Sequence, residues 1–293
     1  MMRREKRTYL ISLAAALFLI LSGVVSQPHG AVAPEKREPP EFMNSHYRPQ
    51  LGTYHYVFEF NGLNIGTAWV ELDREGGLYT IRFSAKTNST IDRIYKVRFS
   101  GENVTEAEEW TPIGTRILSR VRSTIKDTAI RFRDDGTIKS VRTESKKGEP
   151  LENEVREIRT DEFTMDPLSV VHLIRGIDWK PGMEQRVHVF TGKRSYESRF
   201  TCSGEEVVEV GGVKRRAWEI VQQSRRLDKE EQETDEEKRE RDLKIYLSAD
   251  EARDVLKIDA PRAIGHFLVL LEGFEPAAGG TKKSGEAARE NRS

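Results

Sequence analysis

From Tyr54 onward the chain alternates. Tyr54, Tyr56, Phe58 and Phe60 are separated by His55, Val57 and Glu59, so one face of this stretch is wholly aromatic. Tyr79, Ile81, Phe83 and Ala85 alternate in the same way with Thr80, Arg82, Ser84 and Lys86. A period of two is what a strand with one buried face requires, because successive side chains point to opposite sides of a sheet. The segments YHYVFEF, NIGTAWVEL, YTIRFSAKT and IDRIYKVRFS therefore predict consecutive antiparallel strands between Tyr54 and Phe99, and the whole chain is organised around them.

The same pattern continues. Strand signals recur in TRILSRVRS, DTAIRFRDDGTIKSVRT, QRVHVFTG, RSYESRFTCSG, EEVVEVGG and VKRRAWEIVQQS, and again in LKIYLSAD, DVLKIDA and IGHFLVLLEGF. Gly76-Gly77, Asp134-Asp135-Gly136 and Gly211-Gly212 supply tight hairpin turns between them. Gly62 and Gly66, inside a strand pattern, predict a bulge or bend of the kind that makes a sheet curl. Arg131, Arg133, Lys139 and Arg142 give the hairpin around Gly136 a basic exposed face. Two stretches read as connections: the polar GENVTEAEEWTPIG after Phe99, and the charged run from Glu144 to Thr160.

One segment breaks the period. In DPLSVVHLIRGIDW, Asp166 can cap a helix that starts at Pro167 and ends at Gly176, with Leu168, Val171, Leu173, Ile174 and Ile177 forming a mostly apolar face. The predicted fold class is all-β. A curved antiparallel sheet forms an open or partly closed barrel, with one short helix at about 166–176 packed against the sheet or plugging one end.

The amino terminus sets the location. Arg3, Arg4, Lys6 and Arg7 precede an uncharged run from Thr8 to Gln27, so residues 1–27 read as a secretory signal peptide or an amino-terminal membrane anchor. The run is at the short end of the roughly 17–25 residues that cross a bilayer, which leaves both readings open. The basic flank lies before the run, which places the rest of the chain outside the cytoplasm. The expected location is periplasmic, or inner-membrane-tethered and facing the periplasm, with membrane contact through the amino-terminal segment if it is not cleaved. Residues 28–50, rich in Pro and charge, read as an extended tether, residues 51–275 as a single β-rich domain, and residues 276–293 as a disordered tail. Within the domain, the nearly all-charged run at 225–244 lacks any apolar stripe to dock it and reads as a solvated loop.

Composition narrows the function classes further. Lys plus Arg and Asp plus Glu are 48 each in 293 residues, so no global positive field exists to hold nucleic acid. Cys202 is the single cysteine, which rules out an intramolecular disulfide and a Cys-rich metal site. Cys202 with His188 would be a thiol nucleophile and its base, but alternation with Phe200 turns Cys202 inward, where a thiol is inert. None of the histidines (His29, His46, His55, His172, His188, His266) pairs with another at metal-ligand spacing. Asp92, Asp166, Asp178, Asp250 and Asp254 are explained by caps, turns and the general charge of the chain. No nucleophile elbow, phosphate loop or zinc helix motif is present. No catalytic residue, cofactor or metal ligand is assigned.

The segments YVFEFNGLNIGTAWVEL, TNSTIDRIYKVRF, DPLSVVHLIRG and LKIYLSADEARDVLKI together resemble the bacterial exported proteins of the domain-of-unknown-function family DUF3108, over roughly Leu51 to Phe274. The resemblance implies a periplasmic or envelope-associated protein of Gram-negative type, built as a curved antiparallel sheet or open barrel with little helix. It implies no reaction and carries no functional residues. The charged run near Asp228 to Glu240 departs from the family's pattern.

The aromatic line is the one non-trivial signal. Tyr54, Tyr56, Phe58, Phe60, Trp69, Tyr79, Phe83, Tyr95 and Phe99 are either ordinary sheet core or the lining of an apolar groove that holds an acyl chain. One short helix is little material to cover so large a sheet, which favours the groove. The leading expectation is a non-catalytic envelope protein that binds a lipid or other amphiphile. The alternatives are an adaptor that pairs with another envelope protein through its strand edges, and a hydrolase.

Overall fold

The computed structural model describes residues 47–227, 242–262 and 265–277. The amino-terminal segment, most of the tether, most of the charged run at 225–244 and the tail beyond 277 lie outside the described residues.

Among the described residues, alternation along the chain produces fifteen strands: β1 (Gly52–Phe60), β2 (Leu63–Glu75), β3 (Leu78–Thr87), β4 (Val97–Glu106), β5 (Pro112–Val121), β6 (Thr124–Phe132), β7 (Thr137–Lys146), β8 (Glu152–Arg159), β9 (Thr164–Met165), β10 (Glu184–Phe190), β11 (Ser195–Val210), β12 (Val213–Arg226), β13 (Leu243–Ser248), β14 (Val255–Arg262) and β15 (Gly265–Pro276). Two helices interrupt them, α1 (Ser89–Asp92) and α2 (Pro167–Arg175).

These strands form one sheet in the order β8-β7-β6-β5-β4-β3-β2-β1-β15-β14-β13-β12-β11-β10-β9. The first and last long strands pair at its centre, Tyr54 opposite Phe274 and Phe58 opposite Val269. Two meandering arms run outward from that seam. Every pairing is antiparallel except the short parallel contact of β9 with β10.

Connectivity forces this sheet to curl. The two edge strands are consecutive in sequence, and only five residue steps separate Arg159 at the end of β8 from Thr164 at the start of β9. An extended chain covers at most about 3.6 Å per residue, so the edges stand within about 18 Å of each other. A flat sheet of this many strands, at about 4.8 Å per strand, would hold them more than about 60 Å apart. The sheet is accordingly a barrel that fails to close its ladder.

Side chains seal the gap instead. Phe190, at the end of β10, is buried against Ile130 and Ile138 of the opposite arm. Ser140 donates to the Gly192 carbonyl at 2.6 Å, and Arg156 donates to the Lys193 carbonyl at 2.6 Å. The turn approaches so closely that a Cβ at Gly192 would sit 2.6 Å from Thr128 Cγ2, and its φ of +82° already favours glycine.

Several expectations meet the structure directly. The turns at Gly76-Gly77, Asp134–Gly136 and Gly211-Gly212 join β2 to β3, β6 to β7 and β11 to β12. Gly66 stands at a register shift between β1 and β2, and a Cβ there would meet the Lys86 carbonyl at 2.4 Å. The helix begins and ends where Asp166, Pro167 and Gly176 place it.

Others are corrected. Two helices are present among the described residues, not one: Asn88 caps the four-residue α1 through Ile91 N at 3.0 Å, and the strand predicted from Ile91 starts at Val97. The polar stretch after Phe99 is strand as far as Glu106. Its inward positions Asn103 and Thr105 are buried because they bond into a polar cluster beneath α2, which hides the apolar alternation. The charged run from Glu144 is mostly strand as well. There the period of two is carried by charges, with Lys126 and Arg142 on Glu144 at 3.1 and 2.9 Å and Arg156 on Glu154 at 2.6 Å. Arg142 belongs to this inner network and not to the basic outer face, since it shares a side with Ile138 and Ser140. Tyr47, at the end of the expected tether, is buried and stacks on Trp110 with ring centroids 6.0 Å apart.

Candidate functional site: an apolar cavity beside the buried helix

Helix α2 crosses the barrel interior, and each end is fastened to a different part of the sheet. At its start, Asp166 Oδ1 accepts from the backbone N–H of Leu168 and Ser169 at 2.9 and 3.2 Å. Oδ2 accepts from Asn103 of β4 at 2.9 Å, and Asn103 also donates to Thr115 of β5 and Ser169. Burial pushes the Asp166 carboxyl above its ordinary range, opposed first by the Ser169 hydroxyl that donates to it and then by the backbone N–H of Leu168 and Ser169. A buried carboxylate with this many donors is a cap and an anchor.

At the other end Arg175, buried, pairs with Asp254 at 2.8 Å. Its Nη2 also donates to the Tyr54 hydroxyl at 3.1 Å and the Ala252 carbonyl at 3.2 Å, while Nε donates to the Arg253 carbonyl at 2.8 Å. Tyr54 donates in turn to Asp254 at 2.9 Å. Burial pushes the Tyr54 hydroxyl up, against the pull of the Arg175 guanidinium. Burial likewise holds the Tyr47 hydroxyl up at about 12.

The two faces of the helix meet different surroundings. Val170, Leu173 and Ile174 pack into a cluster with Phe200, Cys202, Ile220 and Leu247, which leaves only about 30 Å³ of space. Pro167, Leu168, Val171, His172 and Arg175, spaced three and four apart on the other face, look onto a cavity of about 250 Å³. The far wall is the aromatic centre of the sheet, from β1 to β5 and from β12 to β15. Alanines at 68, 85 and 260 stand on that wall, and their short side chains leave the space that a helix barely thicker than its own side chains does not fill.

Of the nine aromatic positions singled out in the sequence, Tyr54, Tyr56, Phe58, Phe83 and Phe99 line the cavity. The other four do not. Phe60 lies at the end of β1, half-buried against the main apolar cluster. Tyr95 belongs to that cluster too, under the Arg122 guanidinium at 5.0 Å, but off the cavity wall. Tyr79 is buried off the cavity wall, stacked on Trp110 and edge-on to the His172 ring. Trp69 faces outward and is 39% exposed, because Ala68 and Val70 take the inward positions on either side of it.

Sequence reasoning missed His172, Arg175 and Gln222 on the wall, together with Leu72, Ile81 and the inward residues Phe267 and Val269 of β15. The strand residues were legible from alternation. His172 and Arg175 were not, since their partners lie far away in sequence. His172 is wedged between Trp110 and Tyr79, at ring-centroid distances of 4.3 and 5.2 Å. Burial first, and the Arg175 charge second, hold its pKa well below 6.5, and its buried Nε2 has no hydrogen-bond partner among the described residues.

The candidate reactive groups are not assembled. Cys202 is buried in the packed cluster, with its thiol pushed up by burial. His188 alternates with the inward Val187 and Val189, so it faces the opposite side of the sheet. Asp166 is held in the helix cap, at the far end of α2 from Arg175. Among the described residues no group of three or more His, Cys, Asp or Glu is placed to hold a metal ion.

Comparison with known proteins gives a consistent fold. The family model for proteins of unknown function, DUF3108, matches residues 53–272. The crystal structure of a beta-barrel-like protein of domain of unknown function DUF1849 from Brucella abortus is similar with a TM-score of 0.54. The likeness covers 79% of this chain and 100% of that one, at 12% identity. That likeness is one of fold. No curated protein matches this chain.

Proposed function

This chain belongs to the DUF3108 family, and we propose that it is a non-catalytic binding protein of the cell envelope, whose curled sheet takes the apolar chain of an amphiphile beside α2. The observation that carries this reading is the cavity of about 250 Å³ between the front of the helix and the aromatic strands. Interiors are packed with few voids larger than a water molecule, so apolar space on this scale is unusual unless something enters it. Its size falls just below the roughly 300–1,000 Å³ of sites for drug-sized ligands, which suits a single chain and not a two-chain lipid. Export is the companion proposal. The basic flank and apolar run of residues 1–27 support delivery to the periplasm, as a free protein or tethered to the inner membrane.

Organic extraction of the protein purified from envelope fractions, followed by mass analysis, tests the reading. A bound single-chain amphiphile in near-stoichiometric amount is the expected result. Its absence, together with no uptake of fluorescent acyl probes of any charge, contradicts it.

A second reading has its own observation. Among the described residues the outer edge of β8 is unpaired in the sheet, and Leu151 and Val155 beside it are 59% and 62% exposed. An adaptor would add a partner's strand there. Crosslinking in cells separates the readings: an adaptor keeps its partner when Tyr56 and Phe83 are replaced in the interior, and loses it when proline is placed on β8.

A further inference from the structure

Two groups on the cavity wall retain hydrogen-bonding capacity. His172 is 2% exposed, and its Nε2 is buried with no partner among the described residues. The Tyr56 hydroxyl is acted on by the Arg175 and Asp254 charges but makes no hydrogen bond among the described residues. Both side chains line the cavity: His172 stands one turn before Arg175 on α2, and Tyr56 follows Tyr54, which bonds Arg175, on the same face of β1. A buried polar group without a partner is costly, so His172 Nε2 points to a ligand that supplies one, and the Tyr56 hydroxyl on the same wall can join it.

Charge decides what kind of ligand. Among the described residues Arg175 is the one permanently charged group on the wall, and it is already engaged by Asp254 at 2.8 Å, by Tyr54 and by two backbone carbonyls. The pair sums to zero. A carboxylate or phosphate entering this end would be stripped of water and would meet no unengaged cation in return. Burial also keeps the phenol of Tyr56 and the imidazole of His172 uncharged, so between them they offer both donors and acceptors to a neutral group.

Resting on the function proposed above, we infer that the cavity selects an uncharged single-chain amphiphile, whose hydroxyl or carbonyl head bonds to Tyr56 and His172 while its chain lies along Ala68, Phe83 and Ala85. The cavity discriminates against fatty-acid anions of the same length.

The test uses the full chain, with the neutral fluorophore N-phenyl-naphthylamine in the cavity and decanol or decanoate as competitor at mildly alkaline pH. Decanol is expected to displace the fluorophore at a concentration at least about tenfold lower than decanoate. Decanoate that competes as well or better overturns the inference, and so does failure of both while the fluorophore binds. This comparison needs no variant. In a second arm, Tyr56→Phe combined with His172→Phe should reduce the preference to about twofold or less, while binding of the fluorophore persists. An undiminished preference in a folded double variant overturns the assignment. Failure of the fluorophore to bind at all removes the proposed function and this inference together, whereas the outcomes above remove only the inference.

Discussion

The back and the front of α2 differ in one respect that matters. Leu173 and Ile174 on the back are fully buried among side chains from β10 to β13. Leu168 and Val171 on the front are only half-buried, and face open apolar space below the aromatic strands. The same nine-residue helix therefore completes a core on one side and leaves one unfinished on the other. Stability comes from the first arrangement, the proposed binding rests on the second, and the polar anchors at the helix ends keep them separate.

The largest expected effect comes from cutting an anchor. Arg175→Leu strands the Asp254 carboxylate in the interior, and should cost about 3–5 kcal/mol in chemical denaturation. A loss below about 1 kcal/mol would mean that the helix is not held by this pair. Next comes a direct test of the two faces. Leu173→Ala should cost about 2–5 kcal/mol, as expected for a fully packed leucine. Leu168→Ala should cost under about 1.5 kcal/mol, since part of its surface already faces space. Equal losses would erase the distinction.

A pH effect is next in size. The His172 pKa is depressed in the folded protein, so the unfolded chain binds more protons below pH 6.5. The stability that its neutral form contributes is complete above that pH. It is lost as pH falls from 6.5 toward the depressed folded value, by up to about 1.4 kcal/mol per pH unit. The stability of the parent relative to His172→Phe should fall steadily as pH falls through this window. A constant difference would contradict the assigned environment. The smallest effect is at Trp69, where replacement by Thr on the outer face should change stability by less than about 0.5 kcal/mol and leave probe binding intact.

The fold was legible wherever apolar residues alternate. Tyr54, Tyr56 and Phe58 fall on the inner face as their spacing requires, and Asp166, Pro167 and Gly176 bound the helix they predict. Legibility failed where polar residues occupy inward positions for tertiary reasons. Asn103 and Thr105 are strand residues because Ser169 and Asp166 wait across the barrel, and β8 is a strand because its charges pair with those of β7. The aromatic wall of the site was half visible. Trp69 shows that an aromatic residue must be placed by parity with its neighbours, not by type. The polar end was invisible, since Arg175 joins Tyr54 and Asp254 across 121 and 79 positions of sequence.

Filling the cavity tests the central claim most directly. Ala68→Leu with Ala85→Leu places new side chains in the space beneath the aromatic strands while leaving the back of α2 and both anchors untouched. Titration of the full chain with N-phenyl-naphthylamine should show saturable binding that the double substitution weakens at least about tenfold, with folding retained by circular dichroism. Saturable binding of equal strength in the filled protein would contradict the account, as would no binding in the unaltered one.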